Sequence, residues 1–264
     1  MPGRPCRGDH AGATMDDVDI DEQASRWPDT FEPERWAREQ RRRRLVVLGA
    51  CTVLLLLVIG VVGPAIFFHL EGAAPKRLSL PVGLGGTVGP VNGTWAVAAP
   101  SEVQYRVNEI LFGQHHTAVG TTDKVHGTVT IKGATVTSAQ FTVDMASVRS
   151  GAAGRDVQFR DSIMDTMAYP DGYFTLTRAI DLGRVPAERK VVDADAVGRL
   201  TLRGQTRTVS FPLRLERYGN GVYANGALTI RFGLWDIPNP SFVVARVGST
   251  GTLDVLLHLV RTSD

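Results

Sequence analysis

Downstream of Cys51 the 264-residue chain has no cysteine, and the other of its two, Cys6, stands close to the N-terminus. The C-terminal two thirds therefore hold no disulfide, no thiol nucleophile and no thiolate zinc site. Such a domain persists in an oxidising compartment on its core alone, and about 170 residues are enough to build one. An excess of one charge is lacking as well. The 29 Lys and Arg face 27 Asp and Glu, a net charge of +2. Residues 1–44 carry nine basic and ten acidic side chains, and residues 71–264 carry 20 and 17. Neither part has the basic excess of a nucleic-acid binder. Neither a G-x-S-x-G nucleophile elbow nor a P-loop is present, so no enzymatic role is expected.

One long apolar run is present, Leu45 to Phe68, 24 residues without a charged side chain. At about 1.5 Å per residue it spans a hydrocarbon core of roughly 30 Å. A cleaved signal peptide would be shorter and nearer the N-terminus, although Gly72-Ala73-Ala74 offers small residues for a cut. We read the run as a membrane anchor. Arg35, Arg38 and Arg41 to Arg44 crowd its N-terminal flank, against Lys76 and Arg77 beyond it. That asymmetry puts the N-terminus in the cytoplasm and the C-terminal part outside, at the cytoplasmic membrane. The arginine block also suits an anionic-lipid surface, in the same orientation.

Residues 1–44 are rich in charge and proline and poor in apolar residues, which reads as a disordered cytoplasmic tail. Met15, ahead of an acidic run, is an alternative start to Met1. The expected organisation is a tail over 1–44, a transmembrane helix over 45–70, a Gly- and Pro-rich linker over 71–92, and a β domain over 93–264.

From Gly93 the apolar residues recur at every second position. Val209, Phe211, Leu213 and Leu215 alternate with Ser210, Arg214 and Glu216, a half-buried strand. Val103, Tyr105 and Val107 do the same, as do Val129 and Ile131, then Phe141, Val143 and Met145. Phe174 and Leu176, Leu200 and Leu202, Tyr223 to Ile230, and Leu253 to Leu259 extend the series to eight or more strands. Turns such as Tyr218-Gly219-Asn220-Gly221 separate them, and helical periodicity is confined to Gly154 to Met167. Strands with one apolar face close into a barrel or pack as a sandwich. A barrel of about eight strands holds one small ligand or fills with side chains, and alternation alone does not decide between them.

Four stretches resemble the YceI-like lipid-binding family. They are Gly93-Thr94-Trp95-Ala96-Val97 with Ser101-Glu102-Val103; Arg155-Asp156 with Met164-Asp165, Tyr169-Pro170 and Phe174; the hairpin from Gly198 to Val209; and Arg231-Phe232-Gly233-Leu234 or Trp235-Asp236-Ile237. Pro100 precedes Ser101 where the family has a histidine, and Gln158 replaces a second. The resemblance runs from Gly93 to Leu234. It implies an all-β, extended lipocalin-like antiparallel barrel with a short helical segment, here behind one transmembrane helix. It also implies an apolar ligand, a polyisoprenoid or other long-chain membrane lipid, with no further cofactor. On that implication the inward faces become a ligand wall formed by Val103, Tyr105, Phe141, Phe174, Leu202, Val209, Phe211 and Leu213. The alternative is a filled barrel without ligand, whose surface recruits a cell-envelope protein.

Other polar residues read as structural. His115, His116 and His126 are expected at the surface or in loops rather than on a metal, because adjacent strand residues point to opposite faces. Arg155, Asp156, Asp161 and Asp165 are expected to cap and solvate a short helix, with Arg155 and Asp156 as an ion pair. Tyr169-Pro170 reads as a turn.

Overall fold

The computed structural model describes residues 33–62, 74–81, 89–185, 187, 189–241 and 245–263. Most of the expected tail, the end of the apolar run and residues 82–88 lie outside these. The chain divides into two units, residues 1–65 and 66–264.

In the first unit, helix α1 (Pro33–Leu57) continues as a wider π-helical turn, Val58–Val62. Within it Glu39–Gly60, 22 residues with no part buried by protein, is long and apolar enough to cross a membrane. Glu39 and Arg41 to Arg44 form its charged start, and the uncharged part from Leu45 to Gly60 is about 24 Å long at 1.5 Å per residue, carried on by the π turn towards the thickness of a hydrocarbon core. Thr52 donates its hydroxyl to the Leu48 carbonyl (2.8 Å), so this polar group is satisfied within the helix. Residues 33–44, expected in the tail on composition, instead belong to the helix. Proline at the first helical position loses no hydrogen bond, and Glu34, Ala37, Glu39 and the arginines are good helix formers extending an existing helix.

The second unit is a barrel. Its strands are β1 (Gly93–Leu111), β2 (Gln114–Thr122), β3 (Val125–Lys132), β4 (Thr135–Asp144), β5 (Asp171–Arg178), β6 (Ile180–Asp181), β7 (Val191–Leu202), β8 (Gln205–Tyr218), β9 (Gly221–Arg231) and β10 (Ala245–Ser263). Eight of them form an antiparallel ring in the order β1, β3, β4, β5, β7, β8, β9, β10, closed by β10 on β1. Closure leaves the ring no exposed strand edge. β2 pairs with the second half of β1, and β6 with the start of β4. Helix α2 (Ala153–Gln158), extended by a π turn over Phe159–Ile163, lies between β4 and β5.

Pairing registers give the barrel two ends. The upper end carries the β1–β2 and β7–β8 hairpins, the α2 connection and the segment 232–241. The lower end carries the β3–β4 and β8–β9 turns, the start of β1 and the end of β10. The β7–β8 hairpin turns on Arg203 and Gly204, both at positive φ (47° and 73°), the conformation of a tight type I′ loop. Trp95, Val91, Ile131, Leu182 and Val192 pack the lower end shut, with Trp95 Nε1 donating to the Val91 carbonyl (2.9 Å). Phe159, Met164, Leu200, Val209 and Trp235 form a second cluster under α2.

Of the described parts of the expected linker, residues 74–81 are docked on the barrel's outer wall, while 89–92 lie at its lower end, where Val91 joins the sealing cluster. Arg77 meets Asp254 at 3.0 Å, Arg106 donates to the Pro75 carbonyl at 2.6 Å, and Asn225 donates to the Leu78 carbonyl at 3.2 Å. Lower down, Arg217 donates to the Gly89 carbonyl. The cause lies in strand parity. Gln104 and Asp254 point outward between inward-facing neighbours, yet are only 1 % and 3 % exposed. Polar groups buried this way require partners, and the strap supplies a guanidinium for Asp254.

Candidate functional site

The barrel is hollow. A cavity of about 550 Å³ runs from the level of Val136 and Leu259 to the upper loops. That volume is within the range of about 300–1,000 Å³ typical of small-molecule sites. Two inward glycines show how the room is kept. A Cβ on Gly198 would stand 2.4 Å from Phe174 Cζ, and one on Gly120 would stand 2.3 Å from Tyr105 Cε1. The edge of each ring occupies the space that a side chain at the glycine of the neighbouring strand would take.

The wall is aromatic where strands β4, β5 and β8 face the interior. Phe141 stacks on Phe174 with centroids 6.3 Å apart, and Phe174 meets Phe211 edge-on at 5.6 Å. Seven of the eight residues expected on the wall line the cavity: Val103, Tyr105, Phe141, Phe174, Leu202, Phe211 and Leu213. Val209 does not. It shares the inward face of β8, but at the upper end it is buried in the cluster with Met164 and Trp235.

Polar groups gather at the upper end. Tyr105 stacks on Phe159 of the π turn at 5.2 Å, tying the wall to α2. Burial pushes the Tyr105 phenol up to about 12, Arg155 opposes the shift, and Asp156 and Glu109 add to it. Glu109 Oε1 lies 2.8 Å from His116 Nδ1 and 3.8 Å from Arg155 Nη2, and all three side chains are mostly buried. Glu109 and Arg155 lie on the cavity wall itself. One carboxylate thus faces a guanidinium and an imidazole beside an apolar lumen, which offers hydrogen bonds with little uncompensated charge.

Two expectations need correction, and one residue was missed. His116 is not a surface histidine; β2 turns it inward onto Glu109, while His115 and His126 are exposed. Arg155 pairs with Glu109 rather than with its neighbour Asp156, whose carboxylate accepts from Ser150 N (2.7 Å) and Oγ (2.6 Å). Glu109 itself was missed, although it continues the inward parity of Val103, Tyr105 and Val107. Among the described residues no group of three or more His, Cys, Asp or Glu is placed to hold a metal ion.

Comparison with known proteins follows the same outline. No curated protein sequence matches the chain. A polyisoprenoid-binding domain from Saccharophagus degradans superposes with a TM-score of 0.54 at 18% identity, covering 65% of this chain and 99% of its own. BcnA of Burkholderia cenocepacia superposes with a TM-score of 0.50 at 24% identity, covering 63% and 99%. The profile of the YceI-like domain matches residues 95–259, reaching past the expected limit at Leu234 to the end of the barrel. This chain, from Trp95 on β1 to Leu259 on β10, therefore belongs to the YceI-like domain family.

Proposed function

We propose that this protein binds a long-chain apolar lipid of the polyisoprenoid class on the outer face of the cytoplasmic membrane, where α1 tethers it. The observation that carries this reading is the hollow, aromatic-walled lumen with polar groups confined to its upper end. The Saccharophagus degradans relative is described as polyisoprenoid-binding, which supports the class of chain. In this reading the chain lies against Phe141, Phe174 and Phe211, and its head group stops at Glu109 and Arg155. Binding, rather than catalysis, is the role.

Burying a methylene from water contributes about 0.8 kcal/mol. A lipid drawn from a bilayer has already left water, so that contribution largely cancels. Affinity then depends on the fit of the lumen and on the head-group contacts. A hydrogen-bonding head group suits an internally compensated Glu109–Arg155 pair better than a strongly charged one.

Tethering and orientation are tested by labelling intact cells with an impermeant thiol reagent, after Cys6 and Cys51 are replaced by serine. Ser79→Cys is expected to react and Ser25→Cys to stay unlabelled; the reverse pattern contradicts the orientation. Binding is tested by uptake of a labelled polyisoprenol from donor vesicles. Saturable uptake of one chain per protein is expected, and partition no greater than that of a lipid-free membrane control refutes it.

A further inference from the structure

We infer that the upper end of the barrel is a membrane-docking rim, seated on the bilayer so that the lumen opens into lipid. The inference rests on the tether and on the lipid reading above, and adds where and how the protein meets its ligand's source.

The exposed large apolar side chains of the barrel are not spread evenly. Among the described residues, Ile110, Phe112, Val157, Met167, Tyr169 and Leu234 stand at the upper end, whereas the lower end exposes Val185 and Val191. Met167 is 97 % exposed, Leu234 48 % and Phe112 46 %. The upper residues come from three separate connections, and contacts tie them into one face. Ile110 pairs with Arg246 and Leu111 with Ala245, across the β1–β10 seam. Asn239 donates to the Val247 carbonyl at 3.0 Å, and Arg203 donates to the Asp236 carbonyl at 2.6 Å and sits 6.0 Å from the Tyr169 ring. The face is continuous with the cavity, because Leu111, Gly154, Ile237 and Pro240, on the same connections, line its upper part. An apolar rim around the opening of an apolar lumen is the surface a bilayer complements.

The course of the strap points the same way. It meets the barrel at Arg106 on the upper half of β1, through Pro75, and descends through Asn225 to Arg217 before β1 begins at Gly93. Its first described residues, beside Pro75, thus lie against the upper half of the barrel. Residues 63–73 separate it from the last described residue of the apolar helix and reach at most about 40 Å at ~3.6 Å each. From Arg106 the upper end of β1 is about 17 Å of strand away, and the lower end about 43 Å, at ~3.3 Å per residue. A short tether therefore serves a barrel whose mouth faces the membrane better than one turned over.

The test uses the full chain, one copy per nanodisc of phosphatidylcholine with a minority of phosphatidylglycerol, after Cys6 and Cys51 are replaced by serine. A fluorophore is attached at Phe112→Cys, at Leu234→Cys and, for the lower end, at Asn220→Cys. All three positions are exposed, so the fold tolerates them, and two rim sites guard against the failure of either. Nitroxide-labelled lipid is expected to remove most of the emission at both rim sites and little at Asn220. Rim labels as open to aqueous iodide as Asn220, and unquenched by the nitroxide lipid, overturn the inference. So does shielding from iodide without lipid quenching, which means that a protein covers the rim, and so does quenching confined to Asn220. Lipid co-purifying with a water-exposed rim would overturn the docking and leave the lipid reading standing.

Discussion

Replacing Phe211 by tryptophan separates a hollow barrel from a filled one. The Phe211 ring faces the lumen and touches Phe174 at its edge. The added ring of an indole therefore has about 550 Å³ to enter. We expect a stability change below about 1 kcal/mol, because the overpacking that costs ~1–3 kcal/mol in a close-packed core does not arise. Ile131→Trp is the matched control. Ile131 is 2 % exposed in the sealed lower end, so it should incur the full overpacking cost. For a domain of this size each kcal/mol shifts Tm by about 2–4 °C, so the control falls by roughly 2–12 °C while Phe211→Trp stays within a few degrees. Lipid co-purifying with Phe211→Trp should decrease, since indole and chain compete for one volume. Equal losses of Tm in the two variants, with lipid content unchanged, would refute the hollow lumen.

Tyr105 makes the barrel alkali-sensitive. Its folded pKa, raised from 10.0 to about 12, holds the proton more tightly than the unfolded chain does, so stability is full below pH 10 and is lost as pH rises towards 12. The loss is on the order of 2–3 kcal/mol, and Tyr105→Phe should flatten it in urea melts taken across that interval. Glu109→Ala removes the buried carboxylate that faces both His116 and Arg155, and should cost about 1–3 kcal/mol by denaturant unfolding at neutral pH. Arg77→Ala should loosen the strap, cost about 1–3 kcal/mol and speed proteolysis within residues 74–81; the exposure of Arg77 keeps the cost below that of a fully buried pair.

The strands were legible because each carries one apolar face, and period-2 alternation survives any choice of partner. Seven wall residues followed from the same parity. Val209 was misplaced because parity fixes the face of a strand but not the height along it, and height decides whether a side chain meets lumen or cluster. Glu109 was within reach: one more step of the count that gave Val103, Tyr105 and Val107 ends on a carboxylate facing inward. Its partners were not, since His116 and Arg155 come from other elements. Hollowness depends on Gly120 and Gly198 lying under rings from neighbouring strands, a juxtaposition that exists only after pairing. The strap was hidden by its composition. Glycine and proline read as a flexible spacer, while the groups that hold it, Asp254, Arg106 and Asn225, look like ordinary outward polar residues of β10, β1 and β9.

Native mass spectrometry of the full chain, released gently from a nanodisc, tests the central claim most directly. The account predicts a population heavier than the polypeptide by one long-chain apolar lipid, which collisional activation ejects intact. It further predicts that Phe211→Trp diminishes this population. A wild-type spectrum showing only the bare polypeptide, from protein that retains its β-sheet circular dichroism and was never exposed to delipidating detergent, would contradict it.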